Sequence, residues 1–174
     1  MYHFIINPNS SSGKGIRYWH TVKKELDEKN IAYTAYITKH EGHASLLAQE
    51  ICRNNNDIKN IVVLGGDGTI NEVINGIDDF SSVLLGYIPA GSSNDLAKGL
   101  NLPKDPVKAL EAILKPSRFK YLDLGEMTFK NNELPPRKFA CSSGIGYDAD
   151  VCARVQKSIW KKRLNRIKAG KFVY

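Results

Sequence analysis

The sequence predicts an α/β fold: a parallel-sheet N-terminal domain over residues 1–122, followed over 123–174 by the beginning of a β-rich second unit. Three observations predict it. Short apolar runs alternate with stretches whose apolar residues recur at helical spacing, the pattern of successive strand–helix units in a parallel sheet. Three of those runs end in loops of small and polar residues (7–15, 65–69 and 89–95), each followed by a helix. Beyond Pro116 the helical spacing gives way to two strand-like runs with no helix between them. Loops at the carboxyl ends of parallel strands share one edge, where ligands bind. The three loops are therefore expected to line one cleft.

Tyr2–Ile6 reads as the first strand, Asn7–Gly15 as a polar loop, and Trp19, Val22 and Leu26 as the face of a helix over 16–29. A Ser- and Gly-rich loop carrying Lys14 ahead of a helix is either a phosphate cradle or an exposed linker, and both readings stay open. Ala32–Thr38 is rich in strand formers, and Ala44, Leu47, Ala48 and Ile51 mark the next helix. His40 and His43 at its start suit a turn or capping role better than metal ligation, because no third ligand is evident nearby. Asn60–Leu64 forms the next strand and runs into Gly65-Gly66-Asp67-Gly68-Thr69. Ile70, Val73, Ile74 and Ile77 follow at the 3-4-7 spacing of one helix face.

Val83–Ile88 is another strand, leading through Pro89-Ala90-Gly91-Ser92-Ser93-Asn94-Asp95 to a short helix with Leu96, Ala97 and Leu100. Asp105 at the N-cap and Pro106 at the first helical position open one more helix, with Val107, Leu110, Ile113 and Leu114 as its buried face. Phe119–Leu124 and Glu126–Phe129 then read as strands and 131–136 as a turn before Lys138–Ser142. Helix-like sequence runs through Trp160 into a tail with Lys157, Lys161, Lys162, Arg163, Arg166, Lys168 and Lys171. That tail is expected to be a solvated helix face, with an anionic membrane surface as the alternative partner.

The stretch around Asp67 carries the chemistry. A strand, a tight glycine turn and a helix start bring free backbone N–H groups together, which attracts anions and phosphate above all. A carboxylate there is a poor phosphate ligand by itself. It makes sense if it holds a metal or takes a proton beside the phosphate; the plain alternative is a turn that needs glycine and a capping Asp. Two commoner phosphate motifs are absent. The dinucleotide fingerprint lacks its third glycine, since Asn71 stands there, and a Walker A loop would need glycine where Pro8 stands.

Composition bounds the class. With 174 residues, 42% of them apolar and 25% charged, the chain reads as one globular domain or one domain and part of a second. No apolar run approaches the 18 or so residues of a spanning helix, and the N-terminus lacks a charged leader, so a cytoplasmic protein is expected. Cys52, Cys141 and Cys152 have no metal spacing and read as free thiols. The net charge of +7 favours anionic partners in general. A nucleic-acid binder is not expected, because the aromatics are not interleaved with the basic residues as a stacking platform requires.

The motifs together resemble the diacylglycerol kinase catalytic family of lipid kinases, the group that also holds sphingosine and ceramide kinases and several bacterial lipid kinases. The matching residues are Asn7-Pro8-Asn9; Thr38 with Gly42-His43-Ala44; Gly65 through Gly76, including Asn71, Glu72 and Asn75; Pro89 through Ala97, including Gly91, Ser92, Asn94 and Asp95; and Gly144 through Ala149. GGDGT alone is shared with NAD kinases and phosphofructokinases, whereas its continuation into Asn71-Glu72-Val73 and Asn75-Gly76 is specific. Two departures stand out: the first loop is longer than the family's usual form, and Ser92 replaces a Thr while keeping the hydroxyl.

The resemblance implies an NAD kinase- or phosphofructokinase-like nucleotide domain that uses ATP and Mg²⁺ to phosphorylate a lipid alcohol, diacylglycerol first. It implies that Asn7, Pro8, Asn9, Thr38, Gly65, Gly66, Asp67, Gly68, Thr69, Asn71, Glu72, Gly91, Ser92 and Asn94 hold the nucleotide. Asp67, and after it Asp95, would act at the reacting centre; metal ligands are unassigned. Family members continue into a β-sandwich with further acidic residues, so the chain is expected to be the nucleotide half-site. Peripheral contact with the inner face of the membrane and a homodimer are open partners. The rival functions are an NAD kinase-like enzyme acting on a soluble nucleotide and a catalytically silent nucleotide-binding module.

Overall fold

The computed structural model describes residues 1–53, 58–130, 134–144, 146, 149–151 and 154. Four strands, β1 (Tyr2–Ile6), β2 (Tyr33–Ile37), β3 (Lys59–Gly65) and β4 (Val83–Pro89), form one sheet in the order β2-β1-β3-β4. Every pairing is parallel, with Ile6 opposite Ile37 and Leu64, and Gly65 opposite Pro89. The helices are α1 (Ser10–Glu28), α2 (His43–Arg53), α3 (Asp67–Asn75), α4 (Asp95–Gly99) and α5 (Pro106–Leu114).

Side-chain alternation along the two central strands decides which helix covers which face. Phe4, Ile6, Val62, Leu64 and Ile88 point to one side, where Trp19, Val22 and Leu26 of α1 and Ala109 and Leu110 of α5 cover them. Ile5, Ile61, Val63 and Tyr87 point to the other, under Ala44, Leu47, Ala48 and Ile51 of α2 and Ile70, Val73 and Ile74 of α3. Burial on both faces is why β1 and β3 read as unbroken apolar runs. Asp105 caps α5 as its sequence predicts, accepting from the backbone N–H groups of Val107 and Lys108 at 3.0 Å each.

Two expectations need correction. The α1 segment is counted from Ser10, but Ser11, Ser12 and Gly13 lie in the left-handed region, so regular helix starts only beyond them, close to the expected residue 16. Phe119–Leu124 is not a strand; Phe119, Tyr121 and Leu122 are exposed. The antiparallel hairpin instead pairs β5 (Gly125–Met127) with β6 (Arg137–Phe139), because Leu124 and Ala140 at its ends pack on the α2–α3 core and fix its place. The basic tail from Lys157 to Lys171, Cys152, and Ile145, Tyr147 and Asp148 of the Gly144–Ala149 motif lie outside the described residues. No helix among the described residues is long and apolar enough to cross a membrane.

Candidate functional site

In the order β2-β1-β3-β4 the chain leaves β1 towards β2 and leaves β3 towards β4. The loops beyond β1 and β3 therefore part from each other and open a crevice at the carboxyl edge of the sheet. A cavity of about 590 Å³ lies there, lined by residues of all four strand-end loops.

The loop beyond β1 is tied to the start of α3 by Asn7. Its backbone N–H donates to the Leu64 carbonyl at 2.9 Å. Its side-chain Nδ2 donates to Thr69 Oγ1 at 3.0 Å, and its Oδ1 accepts from the Asn9 N–H at 3.0 Å. The helix α1 can come down on this loop only because residue 15 is glycine: a Cβ there would sit 2.0 Å from the Asn7 carbonyl oxygen. The left-handed Ser11, in the cavity wall, and Ser12 beside it each cost roughly 1–2 kcal/mol relative to a right-handed turn.

The turn beyond β3 behaves as its sequence predicts. Gly66 is the N-cap of α3, Asp67 stands in the first turn, and Gly68 has nothing within 4 Å of where a Cβ would be. The turn beyond β4 comes so close that a Cβ on Gly91 would lie 2.6 Å from Gly66 Cα and 2.7 Å from Asn94 Oδ1. Two facing glycines thus let the two backbones touch. Asn94 adopts φ 55° and turns its amide back on its own loop, accepting from the Gly91 N–H at 2.8 Å and donating to the Gly91 carbonyl at 2.9 Å.

Asp67 bridges these two turns. Its Oδ2 accepts from the Asp95 N–H at 3.0 Å and its Oδ1 from the Leu96 N–H at 3.2 Å. The carboxylate is thus a helix cap, as the plain reading of the turn allowed, but for α4 and not for its own helix. Glu72 does the same one turn along α3: its Oε2 accepts from the Ala44 N–H, at the start of α2, at 3.2 Å. Tyr87 lies beneath, its phenol pKa pushed well up by burial, then by the Asp67 and Asp95 charges, so it stays a neutral hydroxyl.

Of the residues expected from the sequence, Asn7, Asn9, Thr38, Gly66, Gly68, Thr69, Glu72, Gly91 and Ser92 line the cavity. Pro8, Gly65, Asp67, Asn71, Asn94 and Asp95 are not among the lining residues; Asp95 is exposed and its carboxylate pairs with Lys98 at 2.7 Å. Lys14 turns away, its ammonium 4.7 Å from the Tyr18 ring centre. Ser10 and Ser11 of the 7–15 loop also line the cavity, as that loop was expected to, whereas sequence reasoning missed Lys39, His40 and Glu41 there. Position after Thr38 at a strand end was the available signal for these three. His40 and His43 take the turn roles expected of them. Their rings stack at 4.9 Å, and His43 Nδ1 accepts from the Lys39 N–H at 3.0 Å. Among the described residues no three His, Cys, Asp or Glu side chains gather as a metal site.

The family model for the diacylglycerol kinase catalytic domain matches residues 1–127. A Bacillus subtilis protein with the provisional name lipid kinase YtlR is 34% identical over 150 residues, which are 85% of this chain and 48% of that protein. A diacylglycerol kinase of Staphylococcus haemolyticus is 37% identical over 124 residues, 71% of this chain and 37% of that one. Among solved structures, a diacylglycerol kinase from Bacillus anthracis superposes with a TM-score of 0.60 at 27% identity, covering 71% of this chain and 44% of the other. The chain thus spans about half, or less, of the length of the proteins it matches.

Proposed function

We propose, from the premise that this chain belongs to the diacylglycerol kinase catalytic domain family, that it binds ATP at the sheet edge for transfer of the γ-phosphate to a lipid hydroxyl, diacylglycerol being the first candidate. One observation carries the reading. The loops after all four strands meet around a single cavity of about 590 Å³, with the glycine turn and the open N-terminus of α3 in its wall.

Phosphoryl transfer needs positioning and charge neutralisation more than covalent chemistry from the protein. The α3 start and the bare backbone at Gly68 offer N–H groups to phosphate oxygens. Thr38, Thr69 and Ser92 add hydroxyl groups, and Glu72 a carboxylate suited to a ribose hydroxyl. Asp67 stands at the junction of the two glycine turns, where a carboxylate can meet the acceptor hydroxyl or the solvation shell of an ion.

Mg²⁺ fits this donor set. The ion needs only one or two carboxylates when phosphates and water complete its octahedron, and the Asp67 oxygens that accept amide bonds keep further lone pairs. When bound, it would neutralise charge on the transferring group. ADP release with diacylglycerol in mixed micelles, run beside NAD as acceptor, tests the reading. Turnover with the lipid alone supports it; turnover with NAD, or ATP binding with no acceptor used, overturns it.

A further inference from the structure

The helix that opens at the cleft also holds the hairpin at its other end. Asn75, the last residue of α3, bonds to both backbone groups of Lys138 in β6. Its Nδ2 donates to the Lys138 carbonyl at 2.8 Å, and its Oδ1 accepts from the Lys138 N–H at 2.9 Å. A side-chain amide here takes the place of a neighbouring strand. The same Nδ2 donates to the Asn71 carbonyl at 2.8 Å, which fixes the amide's orientation on the helix. Lys138 returns the contact: its ammonium donates to the Ile77 carbonyl at 2.8 Å and lies 5.2 Å from the Phe80 ring centre. A cation at the carboxyl end of a helix is favoured by the helix dipole.

The rod itself cannot shift easily. A Cβ on Gly76 would sit 2.1 Å from the Ser45 carbonyl oxygen, so α3 and α2 touch backbone to backbone where α3 ends. Glu72 ties the same two helices one turn earlier. At the cleft end, Thr69 is bonded to Asn7, and Asp67 to α4. Each end of α3 is thus pinned to a different part of the chain, and the hairpin's distance from the cleft is set through Asn75.

We infer that Asn75 is a positioning residue for phosphoryl transfer: through its two-point hold on Lys138 it sets where the hairpin unit, and with it the acceptor alcohol, stands relative to the phosphate end of the cleft. This rests on the kinase reading above. Asn75 is not among the residues that line the cavity, so its loss should spare nucleotide binding. Misplacing a reactant by about 1 Å costs on the order of 100-fold in rate, so even partial slippage is measurable.

The test uses the whole chain with Asn75→Ala and Asn75→Asp, and reads three quantities. Nucleotide affinity by calorimetry should stay within about twofold of the parent. Hydrogen exchange at the Lys138 amide should quicken in Asn75→Ala and stay slower in Asn75→Asp, whose carboxylate still accepts from that N–H. The kcat/KM for diacylglycerol should fall about 10- to 100-fold, with the KM for ATP unmoved. Faster exchange with lipid turnover unchanged would overturn the positioning role while leaving the kinase reading intact. Equal losses in ATP and lipid parameters would overturn it too, by showing general damage. A parent chain that binds ATP and phosphorylates no alcohol would remove the kinase reading and this inference with it.

Discussion

Replacing Asp67 with Ala tests the capping role that its hydrogen bonds show against the role in proton transfer proposed for it. The substitution removes the acceptors at 3.0 and 3.2 Å from the Asp95 and Leu96 N–H groups and leaves the α4 start uncapped. A hydrogen bond to a charged group contributes about 1.5–3 kcal/mol. Asp67 is half-exposed, however, and water can reach the released amides. A loss of about 1 kcal/mol per bond, roughly 2 kcal/mol in all, is the expected cost, at the upper end of what N-cap removal causes. Against a folding stability of about 5–15 kcal/mol the domain stays folded. At about 2–4 °C per kcal/mol for a chain of this size, the melting temperature drops by ~4–8 °C. Turnover in the lipid assay should fall by about 10²–10⁴, the usual range when a proton-transferring group is lost. Asp67→Asn decides between capping and chemistry. Its amide oxygen keeps one of the two caps, so it should melt between the parent and Asp67→Ala yet be as inactive as the latter. Activity that followed the melting temperature across the three proteins would reduce Asp67 to a cap, and turnover in Asp67→Ala would remove it from the mechanism.

Two further substitutions probe the glycines around the same cavity, and a titration probes the tyrosine below it. Gly91→Ala pushes a methyl against Gly66 Cα, a backbone atom that cannot step aside, so chemical denaturation should show a loss of about 1–3 kcal/mol together with weakened ATP binding. Gly68→Ala meets nothing within 4 Å and needs no unusual φ. It should raise helix stability by up to ~1 kcal/mol while calorimetry shows ATP affinity down by tenfold or so, if a phosphate comes within van der Waals reach of that face. Unchanged affinity in Gly68→Ala would move the phosphates elsewhere. Burial and the neighbouring carboxylates raise the Tyr87 pKa above its unfolded value. Its contribution to stability is then fully present below about pH 10 and is lost as pH climbs further, because the unfolded chain releases the proton first. Melts from pH 8 to 11 should show that decline, and Tyr87→Phe should flatten it.

Much of the site was legible in the sequence because its parts are local. Glycines after an apolar run specify a turn, and that turn followed by 3-4-7 spacing specifies a helix start, whatever surrounds them. Asp105 and Pro106 announce α5 in the same way. The expected strand at 119–124 failed because its β-forming residues have no neighbouring strand to pair with; strand formation depends on a partner more than on propensity. The hairpin formed instead where Leu124 and Ala140 found apolar surface on α2 and α3.

Composition and periodicity determined the parallel α/β sheet, the edge at which its strand-end loops gather and the loops that frame the cavity there. Hydrophobic alternation is written residue by residue, and the sheet's topology follows from it. Only the folded chain decided what the polar side chains face: Asp67 caps a helix 28 residues away, Asn94 folds back on its own loop, and Asn75 holds a strand 63 residues further on. A carboxylate or an amide takes whichever backbone groups packing brings within about 3 Å of it, and no short-range pattern encodes that distance.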